Sequence, residues 1–201
     1  MKLYYAPGVC SLSPHIALEE SGLKHSLAKT DIRAKTTEGG VDYKSVNPLG
    51  YVPALELEDG TLLTEGPAIV QYIADKVPEK KLAPANGTPD RYRLQSWLNF
   101  VSSELHKGFS PLFNPALSDD VKQVFKDRLA TRLAHLEQHF AKNAFLMGDN
   151  FTVVDGYCFT VLRWTVPMKI DLAPYPNIQA YMKRVESRPA VQAAMKAEGL
   201  I

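Results

Sequence analysis

Cysteine is scarce in this chain: two thiols, Cys10 and Cys158, serve 201 residues. No Cys-x-x-Cys occurs, which excludes a dithiol redox motif and a zinc knuckle. In a reducing compartment a structural disulfide between two such distant cysteines is not expected. Redox chemistry at either one therefore needs an external thiol. A charge excess is missing too. The 23 Lys and Arg against 22 Asp and Glu leave a net charge of +1, with no basic stripe, so nucleic acid is not an expected partner. No apolar run approaches a membrane span, and the first residues lack the apolar stretch of a signal peptide. No membrane partner and a cytoplasmic location are therefore expected. There is no internal repeat and no low-complexity tract. What is present is a 45% hydrophobic content, ordinary for a globular protein with a core, at a length that allows one large or two small domains.

The first part of the chain alternates strands with helices. Lys2 to Tyr5 reads as a strand and Ala6-Pro7-Gly8 as a turn. Ser13 is suited to cap a helix with Pro14 at its first position, and Gly22 to end it. His25 to Ile32 reads as a second strand. A hairpin follows, with strands Ala54 to Leu57 and Thr61 to Thr64 around the turn Asp59-Gly60. A helix then starts at Thr64 or Glu65 and runs to Val77, ahead of Pro78. This order implies a small α/β sheet of mixed direction, because the hairpin must be antiparallel while the first crossover can be parallel. The Pro- and Lys-rich stretch after Val77 reads as a linker. Beyond it helical periodicity covers Arg91 to Phe109, Asp119 to Phe140, Thr152 to Thr165, Pro176 to Arg188 and Pro189 to Glu198. Thr152 and Asp155 have capping-box spacing. The expected plan is an α/β domain over 1–77, a linker over 78–88 and an all-α domain over 89–201.

Four features could carry chemistry. Cys10 lies between the first strand and the first helix, where the positive end of the helix dipole favours the reactive thiolate. The competing reading is a small buried apolar residue. Val52-Pro53 precedes a strand. A cis bond there leaves the Val52 backbone N–H and C=O for an extended peptide to pair with, whereas a trans proline would only begin an edge strand. Glu65-Gly66-Pro67 opens a helix. Its N–H groups suit a carboxylate and the Glu65 side chain an ammonium, or Glu65 simply complements the dipole. Asn99, Ser103 and His106 stand at i, i+4 and i+7 and share one helix face, either lining a cleft or wetting a surface. No metal is expected.

The stretches KLYYAPGVCSLSPHIAL, NPLGYVPALELEDGTLLTEGPAIVQYIAD, SELHKGFSPLF and FTVVDGYCFTVLRW, in that order, resemble the cytosolic glutathione S-transferases, most closely the bacterial beta class, over essentially the whole chain. Cys10 together with SELHK carries the class, since other classes usually place Tyr or Ser near the N-terminus as catalytic residue. The resemblance implies a thioredoxin-like N-terminal domain, an all-α C-terminal domain and a homodimer with one glutathione site per subunit. It implies that the Val52 backbone, ahead of a cis Pro53, pairs with the cysteinyl part of glutathione. Glu65 and Gly66 would hold the γ-glutamyl end and Lys35 the glycine carboxylate. Asn99, His106 and Lys107 would surround the site, and Ser103 would reach the neighbouring subunit's site. Cys10 and His106 are the expected catalytic residues, with Ser11 helping to stabilise thiolate and Lys107 keeping the potential positive. Tyr5, Phe109, Pro111, Leu112, Phe113 and Trp164 are the expected lining of an electrophile pocket between the domains, and Cys158 is expected in the core. The expected activity is conjugation of glutathione to hydrophobic electrophiles, halogenated aromatics included. Disulfide exchange through Cys10 is expected as a second activity. The alternative is a non-catalytic protein that binds hydrophobic ligands.

Overall fold

The computed structural model describes residues 1–201 and divides them into two compact units, Met1–Ala83 with Arg188–Ile201, and Pro84–Ser187. The expected division differed. Residues 188–201, which periodicity alone assigns to the helical domain, belong with the first unit.

The first unit holds a five-stranded sheet. Its strands are β1 (Lys2–Tyr5), β2 (Ser26–Asp31), β3 (Thr36–Thr37), β4 (Ala54–Glu56) and β5 (Leu62–Thr64), in the order β3-β2-β1-β4-β5. β1 runs parallel to β2 and antiparallel to β4, and β4 and β5 form the expected hairpin. The mixed sheet follows from the connections: α1 (Leu12–Ser21) makes the crossover from β1 to β2, and the Asp59-Gly60 turn forces the antiparallel pair. Strand alternation sorts the core into two faces. On one, Tyr4, Ala6 and Ala54 pack with Val52 and with Tyr43 of the short helix α2 (Tyr43–Val46). The other carries Leu3 and Leu55, both fully buried, under α1 and α3 (Gly66–Asp75).

α1 begins two residues earlier than Ser13 suggests. Ser11 precedes its first residue, and Ser13 lies buried inside the helix. Pro14 fits there because the first-turn N–H groups have no intrahelical partner to lose. Gly22 ends the helix in the left-handed region at φ 71°, with its N–H on the Leu18 carbonyl, as a C′ glycine does.

The chain's last helix, α9 (Pro189–Ala197), packs on α1. Two side-chain clamps hold this return. Arg188 reaches Glu20 with a fork of two bonds, at 2.5 and 2.9 Å. Glu198 takes the His15 Nδ1 hydrogen at 2.9 Å and the Gly8 N–H at 2.9 Å. Neither pairing has a periodic signature, so the sequence pattern could not place this segment.

The second unit is helical. It contains α4 (Pro89–Phe100), α5 (Lys107–Phe109), α6 (Asp119–Phe140), α7 (Val153–Leu162) and α8 (Pro176–Glu186). All ten residues of α7 are buried, which explains an apolar run with no polar face. Its start is fixed by the capping-box carboxylate: Asp155 accepts the Thr152 N–H at 2.9 Å and the Leu146 N–H at 2.8 Å. The expected uninterrupted helix over 91–109 is not found. Val101–His106 is a π turn, with the Lys107 N–H bonded to the Ser102 carbonyl, and Ser110–Phe113 is a 3-10 turn.

Candidate functional site

Cys10 stands two residues before α1, half-buried, and its Sγ lies 3.3 Å from the Val52 carbonyl oxygen. Val52-Pro53 is a cis peptide, as the peptide-pairing reading requires. The two halves of the Val52 backbone differ: the carbonyl is engaged by Cys10, whereas no acceptor in the chain takes the N–H. Gly66 at the start of α3 lies behind Pro53, where an added Cβ would be 3.9 Å from the proline ring. Glu65, just before α3, is exposed and sits at φ 66°. That conformation is uncommon for a residue with a Cβ, and such backbones concentrate where function holds them. Lys35 is also left-handed, at φ 58°, and its Nζ donates to the Gly50 carbonyl at 2.6 Å, two residues before Val52. The first unit therefore gathers Cys10, Lys35, Val52, Pro53 and Gly66 around one stretch of backbone, with Glu65 on its rim.

Two expected members of this group have other work. Ser11 is fully buried, and its hydroxyl both donates to the Ala6 carbonyl and accepts the Ala6 N–H, each at 3.1 Å. It braces the β1–α1 turn and has no hydrogen bond left for a thiolate. Tyr5 is buried against His15, ring centroids 5.9 Å apart, and burial raises its phenol pKa. It is a packed strand aromatic.

In the second unit, the π turn changes the expected stripe. Bonding from i to i+5 widens the turn, so 3.6-residue spacing no longer decides which residues align. Asn99 and Ser103 are both exposed, and the Ser103 hydroxyl is spent on the Asn99 carbonyl at 2.9 Å. His106 turns inward. Its Nδ1 is 2.7 Å from the Tyr157 hydroxyl of α7. Burial, with a smaller push from the Lys107 charge, pulls the imidazole pKa down to about 4. The ring is neutral at pH 7. A phenol is a stronger acid than a neutral imidazole, so the shared proton is assigned to Tyr157 and the ring hydrogen to Nε2. Nε2 is then a donor. Tyr157 is the partner of a candidate site residue that sequence reasoning missed, although a tyrosine inside an apolar helix always raises the question of where its hydroxyl goes.

Trp164 collects the expected aromatics. Its ring centroid is 4.9 Å from His106, 6.1 Å from Phe109 and 5.6 Å from Phe113. Of these, Phe109 and Leu112 are buried core residues, and Phe113 is exposed, so Phe113 is the one with surface to offer. Lys107 is exposed. Cys158 is fully buried, and its thiol pKa is pushed far up by desolvation. It is core, as expected.

A glutathione S-transferase N-terminal domain model matches residues 9–76 and a glutathione S-transferase C-terminal domain model matches residues 100–189. Glutathione S-transferase GstA of Escherichia coli O157:H7 is 47% identical over 201 residues, the full length of both chains. The chain belongs to the glutathione S-transferase family. Its class is the bacterial beta class, and its enzyme type is glutathione transferase. A sphingomonad glutathione S-transferase solved in complex with glutathione superposes with a TM-score of 0.97 at 48% identity, covering all of both chains. The beta-class glutathione S-transferase of Sphingomonas chungbukensis does so with a TM-score of 0.97 at 46% identity, again over all of both chains. The Cys10–Val52–Pro53 arrangement thus lies within the segment matched by the N-terminal model, and His106 and Trp164 within that matched by the C-terminal one.

Proposed function

We propose that the protein conjugates the glutathione thiol to hydrophobic electrophiles, halogenated aromatics among them, and that it also runs glutathione-dependent thiol–disulfide exchange through Cys10. The observation that carries this reading is the Cys10 thiol held 3.3 Å from the carbonyl of Val52, beside a Val52 N–H that the chain leaves for a ligand. A glutathione backbone paired with Val52 by strand addition brings its own sulfur toward Cys10. Lys35 has the charge for the glycine carboxylate, Glu65 that for the γ-glutamyl ammonium, and Gly66 the backbone N–H for the γ-glutamyl carboxylate. Asn99, Ser103 and Lys107 remain proposed peripheral contacts.

In conjugation the glutathione thiol gives its proton to solvent. The thiolate then forms a C–S bond while the carbon–halogen bond breaks and halide leaves with the electron pair. His106 is the second proposed catalytic residue; being neutral, it has an Nε2–H to donate and no charge. In exchange, the Cys10 thiolate attacks a glutathionyl disulfide, forms Cys10–S–S–glutathione and releases the partner thiol. A second glutathione thiolate then takes the bound glutathionyl group as oxidised glutathione and regenerates Cys10. The proposed assembly is a cytoplasmic homodimer.

Purified protein is to be assayed with glutathione and chlorodinitrobenzene, and separately with a glutathionyl disulfide. Saturable thioether formation above the uncatalysed rate is expected. Its absence from folded protein at saturating glutathione would overturn the conjugation reading. Cys10→Ala is expected to abolish disulfide exchange and to leave measurable conjugation, because an alanine cannot form the mixed disulfide. Undiminished exchange in that variant would sink the Cys10 mechanism.

A further inference from the structure

A second cluster of chemistry-bearing side chains lies in the first unit, on the far part of α1. His15 and Glu19 are one helical turn apart and share a face. Gly22 turns the chain at the helix end, and His25, the residue before β2, comes back beside them. Ligand atoms of His15, Glu19 and His25, one from each, all lie within 4.8 Å of one another. The Glu19 oxygen is 3.9 Å from His15 Nε2 and 3.5 Å from His25 Nε2.

The tautomers are set from outside the cluster. His15 Nδ1 is 2.9 Å from a Glu198 oxygen, and a carboxylate only accepts, so the ring hydrogen sits on Nδ1. His25 Nδ1 is 2.9 Å from the Leu23 carbonyl, which imposes the same tautomer. Both Nε2 atoms therefore present lone pairs toward the Glu19 carboxylate. His15 is fully buried, and its Nε2 has no hydrogen-bond partner. A buried polar atom left that way is costly. Three lone-pair donors thus face one another, and a cation is what such a set lacks. A carboxylate that fixes the distal nitrogen of a ligating histidine is the usual outer partner in metal sites, and Glu198 has that position for His15.

We propose that His15, Glu19 and His25 form a three-ligand site for a first-row divalent cation of the zinc type, with Glu198 orienting His15. Two imidazoles and a carboxylate are a donor set that suits this class of metal and keeps a fourth position for water. Metal–ligand distances of about 2.0–2.2 Å put tetrahedral ligand atoms about 3.3 Å apart. The two Glu19 pairs, at 3.5 and 3.9 Å, lie close to that separation, and the His15–His25 pair, within 4.8 Å, has to close by up to about 1.5 Å, through rotation of the partly exposed Glu19 and His25 side chains. The bound cation joins α1 to the segment entering β2 and, through Glu198, to the chain beyond α9. The site is independent of the transferase reading, because none of its ligands is assigned to glutathione.

The test uses untagged full-length protein, stripped with a chelator and titrated with cobalt(II) in the absence of glutathione. Visible absorption reads four-coordinate cobalt. One equivalent per chain, displaced by zinc, is the expected result. Glu19→Gln and His25→Ala each weaken cobalt binding at least tenfold, while Cys10→Ala leaves it unchanged. His15 is too deeply buried to be a safe probe, so the two partly exposed ligands are varied, with far-ultraviolet circular dichroism to verify folding. No saturable cobalt spectrum in the parent protein, an unchanged affinity in both ligand variants, or loss of binding in Cys10→Ala would each overturn the site.

Discussion

At the scale of single residues, the protonation state of His106 determines what it can contribute. An imidazole at about 4 carries no positive charge at neutral pH, so the role proposed for it has to be filled by its N–H and not by charge. That donor exists only while Nδ1 is occupied from the other side, and Tyr157 is what occupies it. Tyr157→Phe keeps the ring packing and removes the proton. The imidazole hydrogen is then shared between both nitrogens, and part of the population presents a lone pair at Nε2 where the parent presents an N–H. The expected outcome is a fall of up to about tenfold in kcat, near 1.4 kcal/mol, the upper range for one hydrogen bond. The KM for glutathione should stay close to the parent's. A change confined to KM, or no change in kcat, would remove Tyr157 as a positioning residue.

At the scale of elements, the segment from 101 to 113 is the unusual one. It passes from a π turn to α5 to a 3-10 turn, and one glycine lets it approach α6. A Cβ at Gly108 would fall 2.8 Å from Cδ2 of Leu129, a residue that is itself fully buried. Gly108→Ala therefore overpacks the α5–α6 contact, and a loss of about 1–3 kcal/mol in urea-unfolding stability is expected. An unchanged midpoint would mean that Leu129 moves aside freely. This stretch also marks the limit of what the chain discloses before folding. The hairpin at Asp59-Gly60 and the limits of α6 were legible, because turn chemistry and 3.6-residue periodicity are written in residue types. So was Cys158 as core, from its apolar helix. The π turn was not, since it shifts one hydrogen bond without demanding any particular residue. The two-residue β3 is too short to have a period. Ser11 and Ser13 are both plausible helix-start serines, and only packing shows that Ser11 braces the turn while Ser13 is enclosed. Among candidate site residues, Cys10 and Val52-Pro53 stand out from local context, whereas the spacing of His106 leaves cleft and surface open and only the family resemblance singles it out. Tyr157 and Glu198 do not stand out, because they act across long stretches of sequence on histidines that give no local sign of them.

At the scale of the folded units, the two tryptophans and two oppositely perturbed groups belong to the second one. His106 falls from 6.5 to about 4, by burial. Asp155 rises from 3.8 to about 6, because its complete burial outweighs the N–H bonds from Leu146 and Thr152. For His106 the unfolded chain binds more protons between pH 4 and 6.5, so its contribution to stability is lost as the pH falls through that window. For Asp155 the folded chain binds more protons between pH 3.8 and 6, so its burial becomes less unfavourable over nearly the same fall. Each effect is about 3 kcal/mol in full, and their signs oppose. In the parent protein they largely offset each other. Asp155→Asn leaves the His106 effect alone, and its stability should drop more steeply than the parent's from pH 6.5 to 4. His106→Gln leaves Asp155 alone and should shift the other way, gaining relative to the parent as the pH falls from 6 to 4. Other carboxylates, such as the ion-paired Glu104, are common to all three proteins, so they cancel in the comparison. Urea unfolding followed by fluorescence of Trp97 and Trp164, both within Pro84–Ser187, reports on this unit directly. Parallel pH profiles for the three proteins would show that neither buried group couples protonation to folding.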